Sequence, residues 1–151
     1  MTRIAIKAGV ALLALVLALL LAIPYLIAPT WTCDRFLRCW GRRAHDIHHD
    51  GLRVQVRVAP RFFWLFNVLF PTSRALTMGR TVLTRDAEVA WRVRTLRHEM
   101  RHAFQFRAAP RKYVPRYTWH YPRTGWRRHP MEVEARAAED WPIDSERVPQ
   151  T

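Results

Sequence analysis

The stretch His98-Glu99-Met100-Arg101-His102 spells H-E-x-x-H within a run that has helical periodicity. Residues four apart lie on one face of a helix, so the two imidazoles can bind the same metal ion. Glu99 lies about 100° further around the helix, where its carboxylate can act as a base beside that ion. The pattern arises by chance in roughly one of eighty chains of this composition, so the surrounding sequence must decide its meaning.

The residues on either side of the motif predict one long helix. An apolar stripe recurs at steps of three and four residues, formed by Val89, Val93, Leu96, Met100 and Ala103. Asp86 is the predicted N-cap of this helix, and Pro110 ends the pattern. We therefore predict a helix over about residues 87–107, with both histidines at the border of its buried face.

A catalytic zinc site needs a third protein ligand, and a second predicted helix offers candidates. This helix is expected to begin at Pro130, because proline suits the first helical turn. Its carboxylates are those of Glu132, Glu134 and Glu139. Glu132 and Glu139 share a face with Ala135, whereas Glu134 points elsewhere. Glu132 is the favoured ligand, and the alternative is a first-turn glutamate that the helix dipole stabilises.

The combined motifs resemble the gluzincin group of zinc metallopeptidases, in which H-E-x-x-H is followed by a Glu-x-x-Ala helix. They are more similar to a bacterial family of mostly uncharacterised metallopeptidase domains. That family has a Thr-x-Gly strand, then H-E-x-x-H-x-x-Gln, then an Asn-Pro-x-Glu-x-Glu-Ala-like segment. The matching residues here are 75–83, 98–105 and 129–135. The chain departs from the pattern at His129, where the family favours Asn, and in a linking loop rich in Arg and Trp.

The resemblance implies a zinc-dependent metallopeptidase that hydrolyses a peptide or protein substrate. It makes His98, His102 and Glu132 the ligands of Zn²⁺ and Glu99 the general base. Zinc in such a site lowers the pKa of a bound water and polarises the substrate carbonyl. The base then transfers the proton of the water to the leaving amine.

The linking loop offers donors for the oxyanion that forms during hydrolysis. The candidates are Tyr117, His120 and Tyr121, of which Tyr121 is favoured. For each of them, however, an aromatic ring packed under the loop is the preferred interpretation. Gln105 is expected to have a structural role or to support a ligand from outside the metal centre.

The chain is expected to be an α+β protein with a short sheet, the H-E-x-x-H helix and the second, glutamate-bearing helix. Val54, Val56 and Val58 alternate with polar residues and predict a strand. Residues 76–84 predict another strand, in which Gly79 permits a close approach of the backbone or a bulge. The resemblance suggests that residues 77–82 bind a peptide by strand addition, and an ordinary sheet strand is the alternative.

The beginning of the chain predicts a membrane anchor. Residues 8–33 carry no charge, and residues 8–27 are long enough to form a transmembrane helix. A cleaved signal peptide is the alternative. We expect a single-pass protein of the bacterial inner membrane. The arginines after the span favour a cytoplasmic domain, whereas short N-terminal anchors commonly direct the following domain outward.

The predicted division of the chain has four parts. Residues 1–30 form the anchor, 31–53 a basic juxtamembrane segment, 54–140 the zincin-like domain and 141–151 a loose tail. Cys33 and Cys39 could pair outside the cell, stay reduced inside it, or be inert.

Composition predicts the partners. The net charge of +13, from 25 basic and 12 acidic residues, favours acidic partners. Beside an anchor these are expected to be anionic membrane lipids, and no nucleic-acid-binding motif is present. The competing functions are a binding protein with a vestigial metal site and a membrane-surface or polymer-binding module whose H-E-x-x-H is accidental.

Two further segments have alternative interpretations. The apolar residues 62–70 are expected in the core, and the alternative is a loop that enters the membrane interface. The histidine-containing residues 44–51 are expected to form a solvated turn.

Overall fold

Helices cover both faces of a four-stranded sheet in the computed structural model, which describes residues 22, 24–66 and 73–140. The strands are β1 (Arg42–His49), β2 (Leu52–Val58), β3 (Ala75–Met78) and β4 (Thr81–Thr84). The helices are α1 (Pro29–Arg38), α2 (Pro60–Phe66), α3 (Ala87–Trp91), α4 (Val93–Ala108), α5 (Pro110–Arg128) and α6 (Pro130–Ala137). The expected α+β class is confirmed.

The sheet has the order β1-β2-β4-β3. Strands β2 and β4 run parallel, and the two outer strands run antiparallel to their neighbours. The strand predicted around Val54 is confirmed within β2. The single strand predicted over 76–84 is wrong, because the chain reverses at Gly79, whose φ is +66°. The reversal places β3 at the edge of the sheet, beside α4.

The segment expected to be a solvated turn is largely strand β1. It pairs with β2 from Arg42 opposite Val58 to His49 opposite Leu52. The two strands are joined at Asp50 and Gly51, which both have positive φ. An Asp-Gly pair between two strands is a strong hairpin signal, since a type I′ turn needs positive φ at both positions.

Each face of the sheet has its own apolar core. On one face Val54, Val56 and Val82 pack with Leu96 and Met100, which belong to the predicted stripe of α4. On the other face the buried cluster consists of Leu37, Ala59, Phe62, Phe63 and Leu83. The expected core role is confirmed for Phe62 and Phe63 and is wrong for Trp64, which is 80% exposed, whereas residues 67–70 lie outside the described part.

The long helix predicted around the motif is two helices. Arg92 separates them with an extended backbone (ψ 104°), so α4 begins only at Val93. Asp86 is confirmed as an N-cap, since its carboxylate accepts a hydrogen bond from the Val89 N–H at 2.9 Å. The break leaves both motif histidines within α4.

The segment expected to be a linking loop is helix α5. Pro110 lies in its first turn, where the missing N–H costs no helical hydrogen bond. Pro115 and Pro122 lie further along, and the chain changes direction at Gly125 (φ 62°, ψ 172°). Only Tyr113 of this helix is buried, so most of its surface faces solvent.

No helix among the described residues is long and apolar enough to cross a bilayer. The anchor predicted over residues 8–27 lies mostly outside these residues, as does the predicted tail over 141–151. The segment predicted as juxtamembrane contains α1 and β1. Cys33 is a buried free thiol and Cys39 an exposed one. Burial and the nearby Asp34 raise the pKa of Cys33 to about 12.

Helix α1 is attached to the turn between β3 and β4. The Asp34 carboxylate accepts hydrogen bonds from the Arg80 N–H at 2.6 Å and from the Thr81 hydroxyl at 3.1 Å. A Cβ atom at Gly79 would lie 2.6 Å from the same oxygen. The close approach expected at Gly79 therefore exists, and it is made by a side chain of α1.

Gly79→Ala is expected to destabilise the protein more than Gly51→Ala. Gly51 also has positive φ (+70°), but a Cβ atom there would meet nothing within 4 Å. Both variants should lose about 1 kcal/mol of folding free energy, because alanine is disfavoured in the left-handed backbone conformation. Gly79→Ala should lose about 1–3 kcal/mol more, because Asp34 must move away from its two donors. Urea unfolding of the full chain in mild detergent measures the difference, and equal losses would contradict the role of Asp34.

Candidate metal centre

Three predicted ligands converge between α4 and α6. Donor atoms of His98, His102 and Glu132 all lie within 4.8 Å of one another. The two carboxylate oxygens divide between the rings, with Oε2 3.3 Å from His98 Nε2 and Oε1 3.3 Å from His102 Nε2. His102 and Glu132 are buried, and His98 is partly buried. This group can hold a metal ion.

Helix α6 approaches α4 through small and buried residues. Ala135 lies one turn after Glu132 and is fully buried, as expected for a close helix contact. Glu134, expected to point elsewhere, forms an ion pair with Arg101 at 3.1 Å. The spacing on α6 therefore places only Glu132, of these two glutamates, among the converging ligands.

His129 fixes the start of α6. Its Nδ1 accepts a hydrogen bond from the Met131 N–H at 3.2 Å, as an N-cap side chain does. Its Nε2 then carries the proton and donates to the Tyr117 carbonyl at 3.1 Å. Burial lowers the pKa of this histidine and favours its neutral form. An imidazole nitrogen thus takes the N-cap position where the similar family has Asn, whose side-chain oxygen suits the same role.

A carboxylate orients the first histidine. His98 Nδ1 lies 3.3 Å from Glu139 Oε1, and Glu139 is in turn held by Arg94. A carboxylate accepts hydrogen bonds, so Nδ1 carries a proton; Nε2 faces the Glu132 carboxylate with a second proton, or presents its lone pair to a bound metal ion. An outer carboxylate of this kind is the usual partner of a metal-binding histidine.

An amide orients the second histidine. The Gln105 amide nitrogen donates to the Met131 carbonyl and to Glu134, both at 3.0 Å. Its oxygen therefore faces His102 Nδ1, at 2.9 Å, as the acceptor. Nδ1 is again the protonated nitrogen, and Nε2 faces Glu132. Gln105 thus supports His102 from outside the metal centre.

The resulting arrangement can hold a cation at its centre. Two nitrogen lone pairs face one buried carboxylate, which repels them unless protons or a metal ion lie between. Burial opposes ionisation of Glu132, but His102 and His98, when they carry protons on the nitrogens that face it, outweigh burial and hold the pKa of this carboxyl well below the ordinary value. Its Oε2 forms no hydrogen bond of good geometry with the described residues. The donor set and this oxygen fit a metal ion.

Glu99 is buried beside the ligands and held by the sheet. The Thr77 hydroxyl of β3 donates a hydrogen bond of 2.5 Å to Glu99 Oε2. Both side chains are buried, and Thr77 lies on the edge strand next to α4. The strand thus orients the predicted base.

Tyr117 is the tyrosine whose hydroxyl reaches the ligand group. It donates to Glu132 Oε1 at 2.9 Å. Burial and the carboxylate of Glu132 raise the pKa of this hydroxyl well above its ordinary value, so it remains a proton donor. Tyr121, the favoured oxyanion donor, stacks on the Tyr117 ring with centroids 6.1 Å apart. His120 lies against His129, with ring centroids 5.9 Å apart.

Sequence reasoning missed the partners of the site that come from other elements. Thr77 belongs to the Thr-x-Gly part of the resemblance, but the motif gives no indication that its side chain contacts Glu99. The sequence pattern indicates Glu139 only as a possible ligand, because it would share a face with Glu132 if the helix continued to residue 139. Helix α6 ends at Ala137, and Glu139 reaches His98 from the turn beyond it.

Comparisons of the chain with protein-family models, curated proteins and solved structures gave no match.

We expect the chain to bind about one divalent metal ion and to lose that affinity in Glu132→Ala. The loss of metal affinity should exceed the roughly 10- to 100-fold loss that follows removal of a residue that only hydrogen-bonds to a ligand. Glu134→Ala is the matched control from the same helix, and its affinity should change less than about 10-fold. Equilibrium titration with Zn²⁺ and a chromogenic chelator measures both. Equal affinity in Glu132→Ala and the unmodified chain would place the third ligand elsewhere.

Proposed function

We propose that this protein is a zinc-dependent metallopeptidase attached to a membrane. The observation that supports it best is the convergence of His98, His102 and Glu132 beside the buried Glu99. This combination of two imidazoles, one carboxylate and a separate carboxylate base is that of hydrolytic zinc sites. The resemblance to gluzincins assigns the same roles to the same residues.

Zinc is the metal that the donor set favours. Imidazole nitrogens with one carboxylate form a three-ligand site in catalytic zinc proteins, and a fourth position then remains for water or substrate. Bound zinc would supply a water of lowered pKa and a Lewis acid for the substrate carbonyl. Glu139 and Gln105 would keep each imidazole in the tautomer that binds metal.

Glu99 acts as the base in the proposed reaction. Its carboxylate accepts the proton of the attacking water and delivers it to the leaving amine. The hydrogen bond from Thr77 occupies one oxygen and turns the other toward the reacting water. Thr77 is therefore a positioning residue.

Tyr121 is the proposed donor to the developing oxyanion. The hydroxyl of Tyr117 already donates to Glu132, and Tyr121 follows one turn further along α5 with its ring stacked on that of Tyr117. A protonated phenolic hydroxyl can donate a hydrogen bond to an oxyanion.

Peptides or proteins are the proposed substrates, and strand β3 supports this choice. The strand lies at the edge of the sheet next to α4, so an extended peptide can pair with its free backbone groups. The apolar residues 8–27 and the net charge of +13 favour attachment to an anionic bacterial inner membrane.

The first test is the hydrolytic activity of Glu99→Gln. This variant should bind zinc normally but hydrolyse a fluorogenic peptide library about 10²–10⁴-fold more slowly, because an amide cannot accept the proton. Glu134→Gln is the matched control and should retain activity. Zinc binding without hydrolysis in the unmodified chain would favour the alternative of a binding protein with a vestigial site.

The role of Thr77 is tested by a pair of substitutions. Thr77→Val keeps the shape but removes the donor, so kcat/KM should fall about 10-fold or more while the zinc content stays unchanged. Thr77→Ser restores the hydroxyl and should recover most of the activity. If Ser and Val behave alike, the effect comes from packing and not from the hydrogen bond to Glu99.

A further inference from the structure

A cleft separates the beginning of α1 from the beginning of α5. It has a volume of about 650 Å³ and is lined by residues 28–31 and 108–112. Tyr25 joins the two sides, since its hydroxyl donates to the Pro110 carbonyl at 2.5 Å and accepts from the Val114 N–H at 3.3 Å. These hydrogen bonds connect the segment before α1 to the first turns of α5, and the cleft contains none of the predicted metal ligands.

Large apolar side chains are exposed at Trp31, which lines the cleft, and at Leu26 and Ile27, which precede its first lining residue. Leu26 is 58% exposed, Ile27 72% and Trp31 60%. Three exposed large apolar residues within six positions offer an apolar surface to a binding partner. The chain reaches this surface directly from the apolar residues 8–23.

The other side of the cleft is cationic. Arg111 and Lys112 are exposed there, and on the α1 side the Arg35 guanidinium lies 5.5 Å from the centre of the Trp31 ring. Within the described part of the chain, no carboxylate forms an ion pair with any of these three cations. Helix α5 itself contains no acidic residue. The cleft thus combines an apolar surface with positive charge available to a ligand.

We propose that this cleft binds the phosphate head group of an anionic phospholipid at the bilayer surface. Arg111 and Lys112 contact the phosphate, while Leu26, Ile27 and Trp31 enter the interfacial region of the acyl chains. Tryptophan and aliphatic side chains partition to this depth, and cations close to them pair with anionic head groups.

Two other anionic ligands fit the surface less well. A free phosphate would use the cations and leave the apolar residues exposed. A nucleic acid would require stacking planes, and the aliphatic Leu26 and Ile27 provide none. The proposal rests on the membrane attachment in the proposed function, but lipid binding at this cleft requires neither zinc nor hydrolysis.

The test uses the full chain in detergent micelles and native mass spectrometry to count bound lipids. Phosphatidylglycerol and phosphatidylcholine are titrated separately. The cleft variant is Arg111→Gln/Lys112→Gln, and the matched control is Arg127→Gln/Arg128→Gln, which removes the same charge from the other end of α5. Circular dichroism and zinc binding verify that each variant is folded.

The unmodified chain should bind about one phosphatidylglycerol at least about 10-fold more tightly than phosphatidylcholine. The cleft variant should lose about 10-fold in this affinity, whereas the control should change less than about 2-fold. Equal losses in both variants would show diffuse attraction to the net charge and overturn the proposal, as would equal affinity for the two lipids. Displacement of the lipid by millimolar inorganic phosphate, or by a single-stranded oligonucleotide, would reassign the cleft to that ligand.

Discussion

The burial of one carboxylate between two imidazoles is the constraint on which this structure depends. An isolated buried carboxylate is strongly unfavourable, so Glu132 must be surrounded by donors or by a cation. His98 and His102 supply the two facing nitrogens from α4, and the Tyr117 hydroxyl approaches from α5. Three helices must therefore keep a fixed relation to one another, which the buried Ala135 and the N-cap at His129 help to maintain.

The sheet supports this helical arrangement from the opposite side of α4. The residues of α4 that face the sheet, such as Leu96 and Met100, pack on the central strands, so the other face of the helix is available for the histidines. At the edge of the sheet, Thr77 extends the contact to Glu99. Helix α1 holds the adjacent turn through Asp34. The base and the ligands thus rest on separate structural supports.

The sequence predicts the parts of the site that depend on local spacing. The i, i+4 histidines, the N-cap at Asp86 and the shared face of Glu132 and Ala135 all follow from helical geometry. Contacts between distant segments could not be derived in this way. The position of Thr77 beside Glu99 requires the hairpin at Gly79, which a pattern of alternating residues cannot distinguish from one continuous strand. The segment between the two predicted helices is expected to be a loop, yet residues 110–128 form a helix whose aromatic residues pack on the site at helical spacing.

Helix α5 connects the two candidate functional regions because its faces differ in chemistry. Tyr113, Tyr117 and Tyr121 recur every four residues and stack in succession, with ring centroids 6.4 Å and 6.1 Å apart. This face packs beside Glu132 and places a hydroxyl on it. The remaining surface of the helix is exposed and contains cations but no acidic residues. The nearby carboxylates of Glu139 and Glu134 form ion pairs with Arg94 and Arg101. A helix that contacts the ligand group on one face and an anionic surface on the other would fix how the metal centre is oriented relative to that surface.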